Sequence, residues 1–219
     1  MNRLVWIAAL ALTCSAPAAA DHNFGIGVKA GTLGIGVEGT WRPPVVPWLD
    51  FRVGVNRYDY EDSGDYSSIP YDGSLGLDTY YASANLRFPL SPFRLTAGVY
   101  SNGNELELSS TGSGIYEIGG IPYDAADVGT LRSVTSFSGT APYFGVGFDF
   151  TVLSKVGLNL DFGVLWQGDP DVTLTADGIL AGDPFFQSAL EAERLELVDE
   201  VSDYKAWPVV SLGFVFNFL

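Results

Sequence analysis

Apolar and polar residues alternate with a period of two in eight stretches of this chain. That period puts each set on one face of a β-strand. Phe24, Ile26 and Val28 alternate with Gly25, Gly27 and Lys29, and Ile35, Val37 and Trp41 with Gly36, Glu38 and Thr40. Phe51, Val53 and Val55 oppose Arg52, Gly54 and Asn56; Ala82, Ala84, Leu86 and Phe88 oppose Tyr81, Ser83, Asn85 and Arg87. In the second half, Phe93, Leu95, Ala97 and Val99 oppose Arg94, Thr96, Gly98 and Tyr100, and Phe144, Val146, Phe148 and Phe150 oppose Tyr143, Gly145, Gly147 and Asp149. The seventh stretch sets Val156, Leu158, Leu160, Phe162, Val164 and Trp166 against Gly157, Asn159, Asp161, Gly163 and Gln167. The last sets Val210, Leu212, Phe214, Phe216 and Phe218 against Ser211, Gly213 and Asn217.

One face is therefore large and aromatic, and the other is built from Gly, Asn, Thr, Arg and Asp. The first suits lipid and the second a narrow interior. In lipid every backbone N–H and C=O needs a partner, so such a sheet must close on itself. Eight strands leave a lumen just wide enough for side chains. The expected fold is all-β: an eight-stranded antiparallel up-and-down transmembrane β-barrel with both ends on one side.

The connections support this. Arg42 to Leu49 is a proline-rich link, Pro89 to Pro92 a tight turn, and Ser154-Lys155 a two-residue turn. Long connections lie at Asp59 to Asp78, Asn102 to Ala141 and Gly168 to Pro208, while Ala30 to Gly34 is short. Short turns at one end and long loops at the other are the outer-membrane pattern, with the long loops outside. The last loop carries one predicted helix. Asp183 is its N-cap and Pro184 its first residue. Phe186, Ala189, Leu190, Leu197 and Val201 form its apolar stripe, which would cap the barrel mouth or pack on the connection from Asn102 to Ala141.

The first twenty residues read as a cleaved signal peptide. Arg3 is the positive start, Leu4 to Leu12 the apolar stretch, and Ala18-Ala19-Ala20 the small residues before a cut at Asp21. Residues 21–219 then form a single barrel domain. Cys14, the one cysteine, leaves with the signal, so no disulfide is expected. No later stretch has eighteen consecutive apolar residues, which excludes a helical membrane protein but not a barrel. The net charge of −15 excludes nucleic acid as a natural partner, because phosphate binding needs a basic face.

The chain resembles the small bacterial outer-membrane barrels that include outer membrane proteins A and W. The residues that carry the likeness are the signal ending Ala18-Ala19-Ala20, the alternating strands, and the final run Leu212-Gly213-Phe214-Val215-Phe216-Asn217-Phe218. The opening Lys29-Ala30-Gly31-Thr32-Leu33-Gly34 is similar to a group of uncharacterised outer-membrane barrels. The resemblance implies a Gram-negative outer membrane, porin-like architecture and recognition of the C-terminal strand by periplasmic chaperones and the barrel-assembly machinery. In such barrels the final strand usually ends on an aromatic residue; here Phe218 is followed by Leu219. The other expected partners are outer-membrane lipids and lipopolysaccharide, with the barrel a monomer.

Two groups of residues could carry chemistry. Lys29, Glu38, Arg52, Arg87, Arg94, Asp149 and Asp161 all fall on the inward face. Charges in so narrow a lumen must be paired, because an isolated buried charge costs several kcal/mol. They are expected to form an ion-pair network that either closes the lumen or lines a narrow cation-favouring path. Asp59, Glu61, Asp62 and Asp65 form an acidic run that could hold a divalent cation or simply face solvent. Further acids, from Glu105 to Asp127, lie in the next long connection. A lipid-modifying enzyme is the remaining alternative. His22 is the one histidine and sits beside the cut site, so no histidine-based active site is expected. Neither a resident metal nor a cofactor is expected. Trp41, Trp48, Phe88, Phe93 and Phe150 should mark the lower membrane interface, and Tyr58, Tyr60, Tyr80, Trp166 and Trp207 the upper one.

Overall fold

The computed structural model describes residues 23–66, 69–153 and 155–218. The signal segment, His22 and Leu219 lie outside the described residues. The strands in chain order are β1 (Phe24–Gly31), β2 (Gly34–Trp41), β3 (Leu49–Tyr66), β4 (Ile69–Arg87), β5 (Phe93–Ser110), β6 (Ile115–Ile118), β7 (Ile121–Asp124), β8 (Leu131–Leu153), β9 (Val156–Trp166), β10 (Asp171–Ala176) and β11 (Ala206–Asn217). Two helices, α1 (Ala125–Val128) and α2 (Pro184–Val201), lie in the upper connections.

Among the described residues, eight strands close a barrel. The antiparallel order β1-β2-β3-β4-β5-β8-β9-β11 returns to β1 through pairs such as Val28–Phe214. The expected outward sets point outward. Ile26, Val37, Val53, Val99, Phe144, Phe162, Leu212 and Phe214 are all exposed on the wall. At the lower end Trp41 stacks on Phe51 at 5.7 Å, and Phe93 contacts both Phe88 (5.4 Å) and Phe148 (5.7 Å). These rings make a girdle at the end that carries the short turns.

Two of the long connections prove to be strands rather than loops. β3 runs on to Tyr66 and β4 starts at Ile69, in unbroken register from Leu49–Leu86 to Tyr66–Ile69. β5 and the upper half of β8 likewise pair as far as Ser110–Leu131, and β10 adds to β8 from Asp171–Ser136 to Ala176–Leu131. β1, β2, β9 and β11 stop at the barrel rim. The upper parts of β3, β4, β5, β8 and β10 therefore rise past it as a one-sided platform.

The platform has its own core. Tyr116 and Ile118 from the β6–β7 hairpin, Ala125 and Val128 from α1, and Phe186, Ala189 and Leu190 from α2 bury one another. Asp183 starts α2 as expected, accepting hydrogen bonds from the backbone N–H groups of Phe185 (2.8 Å) and Phe186 (3.0 Å). The first half of the apolar stripe, Phe186, Ala189 and Leu190, packs on the β6–β7 hairpin, and Gly119 N–H donates to Glu193 across that contact at 2.8 Å. On the platform, Arg132 of β8 holds Glu107 of β5 through two bonds of 2.6 and 2.7 Å. That guanidinium keeps the Glu107 carboxyl below the usual range. A depressed carboxylate contributes stability above its unfolded-state pKa and loses it as pH falls through the folded value. A carbon-13 titration should find Glu107 titrating below ordinary glutamate, and Arg132→Ala should return it there. An unshifted Glu107 in the parent would remove the pair from solution.

Candidate functional site

The lower half of the lumen holds a continuous set of charges. β1 carries Lys29 and β2 carries Glu38, with Lys29 Nζ 4.0 Å from Glu38. Arg52 on β3 reaches Glu38 (3.4 Å), Asp149 (3.3 Å) and Asp50 (3.5 Å). Arg87 on β4 contacts Asp50 and Asp149, each at 3.0 Å. Arg94 on β5 bonds Asp149 at 3.0 Å and also bonds Asp161 of β9. All seven inward charges singled out from the sequence thus meet in one network.

Asp50 is an eighth member, which its place at the end of the proline-rich link conceals in the sequence. The parity that marks Arg52, Gly54 and Asn56 also covers Asp50. Its carboxylate accepts from Asn85 at 2.7 Å. With it, the network among the described residues holds four cations (Lys29, Arg52, Arg87, Arg94) and four anions (Glu38, Asp50, Asp149, Asp161). It is neutral as a unit, so it satisfies the requirement that buried charge be compensated.

Small residues make room for it. A Cβ on Gly147 would lie 2.5 Å from the Arg94 guanidinium carbon, and one on Gly54 would lie 2.7 Å from the Tyr81 ring. Both glycines are flat floors for a neighbouring side chain.

Above the charges lies a layer of aromatic and apolar side chains. Tyr81 stacks on Tyr100 with ring centroids 4.9 Å apart, and Tyr100 contacts Tyr143 at 5.4 Å. Leu33, Ala141, Leu165 and Val209 complete the cluster, and Trp207 packs against it. The tyrosines were legible as inward; Leu165 and Val209 were not, since they make both faces of their strands apolar. Tyr81 ties the two layers together. Its hydroxyl donates to Glu38 at 2.7 Å, and Lys29 Nζ sits 3.9 Å from its ring centroid. Higher still, Asn102 donates to Gln167 at 3.0 Å, and Asn56 to Thr79 at 2.9 Å. The cavity left between charges and tyrosines is about 20 Å³, room for about one water molecule.

The acidic run lies on a strand rather than in a loop. Asp59, Glu61, Asp62 and Asp65 all lie on β3, where alternate residues take opposite faces. Asp59 is paired with Arg57 at 3.0 Å. Asp59 and Glu61 share one face of the strand, and Asp62 takes the other. Among the described residues no three Asp, Glu, His or Cys side chains are placed to share a metal ion. The upper aromatic girdle is also smaller than expected. Tyr80 and Trp166 face outward, but Trp207 packs on the lumen cluster, and Tyr58 and Tyr60 share the parity of Arg52 and Asn56.

No protein-family model matches the chain, and no curated protein matches it. Solved structures do. The fold is similar to that of CarO2 of Acinetobacter baumannii, with a TM-score of 0.62 and 21% identity over 89% of this chain and 98% of that one. CarO of Acinetobacter baumannii matches with a TM-score of 0.60 and 22% identity, over 89% and 97% of the two chains. At such identities the likeness is one of fold, and it places this chain among proteins built as small closed antiparallel barrels.

Proposed function

We propose that this protein is an outer-membrane barrel whose lumen is closed and whose activity resides on its outer platform, as a structural or surface-interaction protein. The carrying observation is the filled lumen, in which a neutral network of eight charges lies under a tyrosine layer and leaves a cavity of about 20 Å³. The exposed apolar wall supports membrane residence, since a soluble protein rarely leaves so large an apolar surface bare. The short-turn end would then face the periplasm and the platform the outside. The lumen groups are all engaged with one another, which favours a structural role for them over catalysis.

The test is conductance of the refolded barrel in a planar bilayer under sodium and chloride gradients. A silent, folded barrel is expected. A steady cation-selective current would replace this reading with that of a narrow channel, and Glu38, Asp149 and Asp161 would then be its lining.

A further inference from the structure

The platform leaves one strand edge bare. β2 pairs with β3 only as far as Ile35–Arg57, while β3 continues to Tyr66. From Tyr58 upward, β3 has a neighbour on its β4 side and none among the described residues on the other. An edge of this kind presents alternate N–H and C=O groups to any extended chain.

The two faces of that edge differ. On one, Tyr58 and Tyr60 lie parallel with ring centroids 6.4 Å apart. Below them is a hollow of about 300 Å³ lined by Thr32, Ile35, Tyr58, Leu75, Leu77 and Trp207. On the other face Glu61 and Asp72 line a second recess, and neither has an ion-pair partner among the described residues. Pairing of this edge with the same edge of a second copy would set like charges against each other, which is unfavourable.

We infer that the free edge of β3 from Tyr58 to Ser63 is a docking site for an extended cationic segment of another protein, with basic and apolar residues in alternation. Its backbone continues the platform sheet. Its apolar side chains enter the hollow beside Tyr58 and Trp207, and its Lys or Arg side chains meet Glu61 and Asp72. The period of two in the ligand follows from the period of two in β3. This site rests on the surface-interaction reading above and gives it a partner class.

The test uses the full mature barrel in nanodiscs and a labelled octapeptide of alternating lysine and valine. Fluorescence anisotropy is expected to show saturable binding, weakened about tenfold or more by N-methylation of alternate peptide amides. The double variant E61K/D72K should lose binding to a similar degree while keeping the heat-modifiable migration of a folded barrel. Absence of binding, or equal binding of the N-methylated peptide, overturns the proposal. So does concentration-dependent dimerisation of the barrel alone that E61K/D72K abolishes, since the edge would then serve a second copy. Conductance separates the two readings: a silent barrel that ignores the peptide refutes the docking edge alone, whereas a conducting barrel refutes the closed lumen whatever the peptide does.

Discussion

Replacing Arg94 with Ala is expected to lower the unfolding free energy of the barrel by about 3–5 kcal/mol, the usual cost of removing one partner from a buried ion pair. Arg94 is 1% exposed and is the cation on which the lower lumen converges. It bonds Asp149 and Asp161, and donates to Asn85 at 2.9 Å and to Thr96 at 2.7 Å. Without it Asp149 keeps Arg52 and Arg87, but among the described residues Asp161 keeps no ion pair within 4.0 Å, only a contact of 3.4 Å from the Ser211 hydroxyl and the more distant charges of Lys29 and Arg52. The cost should therefore fall chiefly on Asp161, and the double variant Arg94→Met with Asp161→Asn should recover a large part of it. Urea unfolding of the barrel in lipid vesicles, followed by tryptophan fluorescence, measures both. A loss below about 1 kcal/mol for Arg94→Ala would mean that the carboxylates find other partners, and the network would not be the closing element of the lumen.

The second large effect belongs to the outer wall. Leu212 lies near the middle of β11, opposite Ala30 and Leu160, on the face turned away from the lumen. It is 44% exposed. In water, arginine at such a site changes stability within about 0.5 kcal/mol. At the midplane of a bilayer the same substitution costs about 2–4 kcal/mol. Leu212→Arg is therefore expected to destabilise the vesicle-embedded barrel by the larger amount. A neutral result would remove the membrane from the account of the wall, whatever the lumen does.

The barrel half of the fold is legible in the sequence because an apolar outer wall around a narrow lumen imposes one rule on every strand. Outward positions such as Val28, Val53 and Phe214 must be apolar, and the inward ones must fit a narrow space, so a period of two survives the whole length. The lumen charges could be named for the same reason. Asp50 could have been added by the same parity.

The platform was not legible in that way. Asp59, Asp62, Gly64, Gly73 and Gly76 are poor strand formers, and they read as loop. Pairing with β4 and β5 overrides that preference, and nothing local in the sequence announces it. The helix from Asp183 was readable because its cap and its first proline are local signals. Its stripe suits either the barrel mouth or the connection from Asn102 to Ala141, and the buried cluster with Tyr116 and Ile118 decides for that connection. The tyrosine layer was half visible. Tyr81, Tyr100 and Tyr143 fall on the inward face, but their contact depends on the closure of β4, β5 and β8 into neighbours.

The barrel and the platform bury two clusters that share no residue: Tyr81, Tyr100, Tyr143, Leu165 and their neighbours inside the rim, and Phe186, Leu190, Ile118, Val128 and theirs above it. The strands β3, β4, β5 and β8 run unbroken from one to the other, so the two clusters are joined by backbone and not by packing. Changes at the residues packed above the rim therefore leave the contacts inside it untouched, and a substitution in one cluster is felt by the other only through the strands they share.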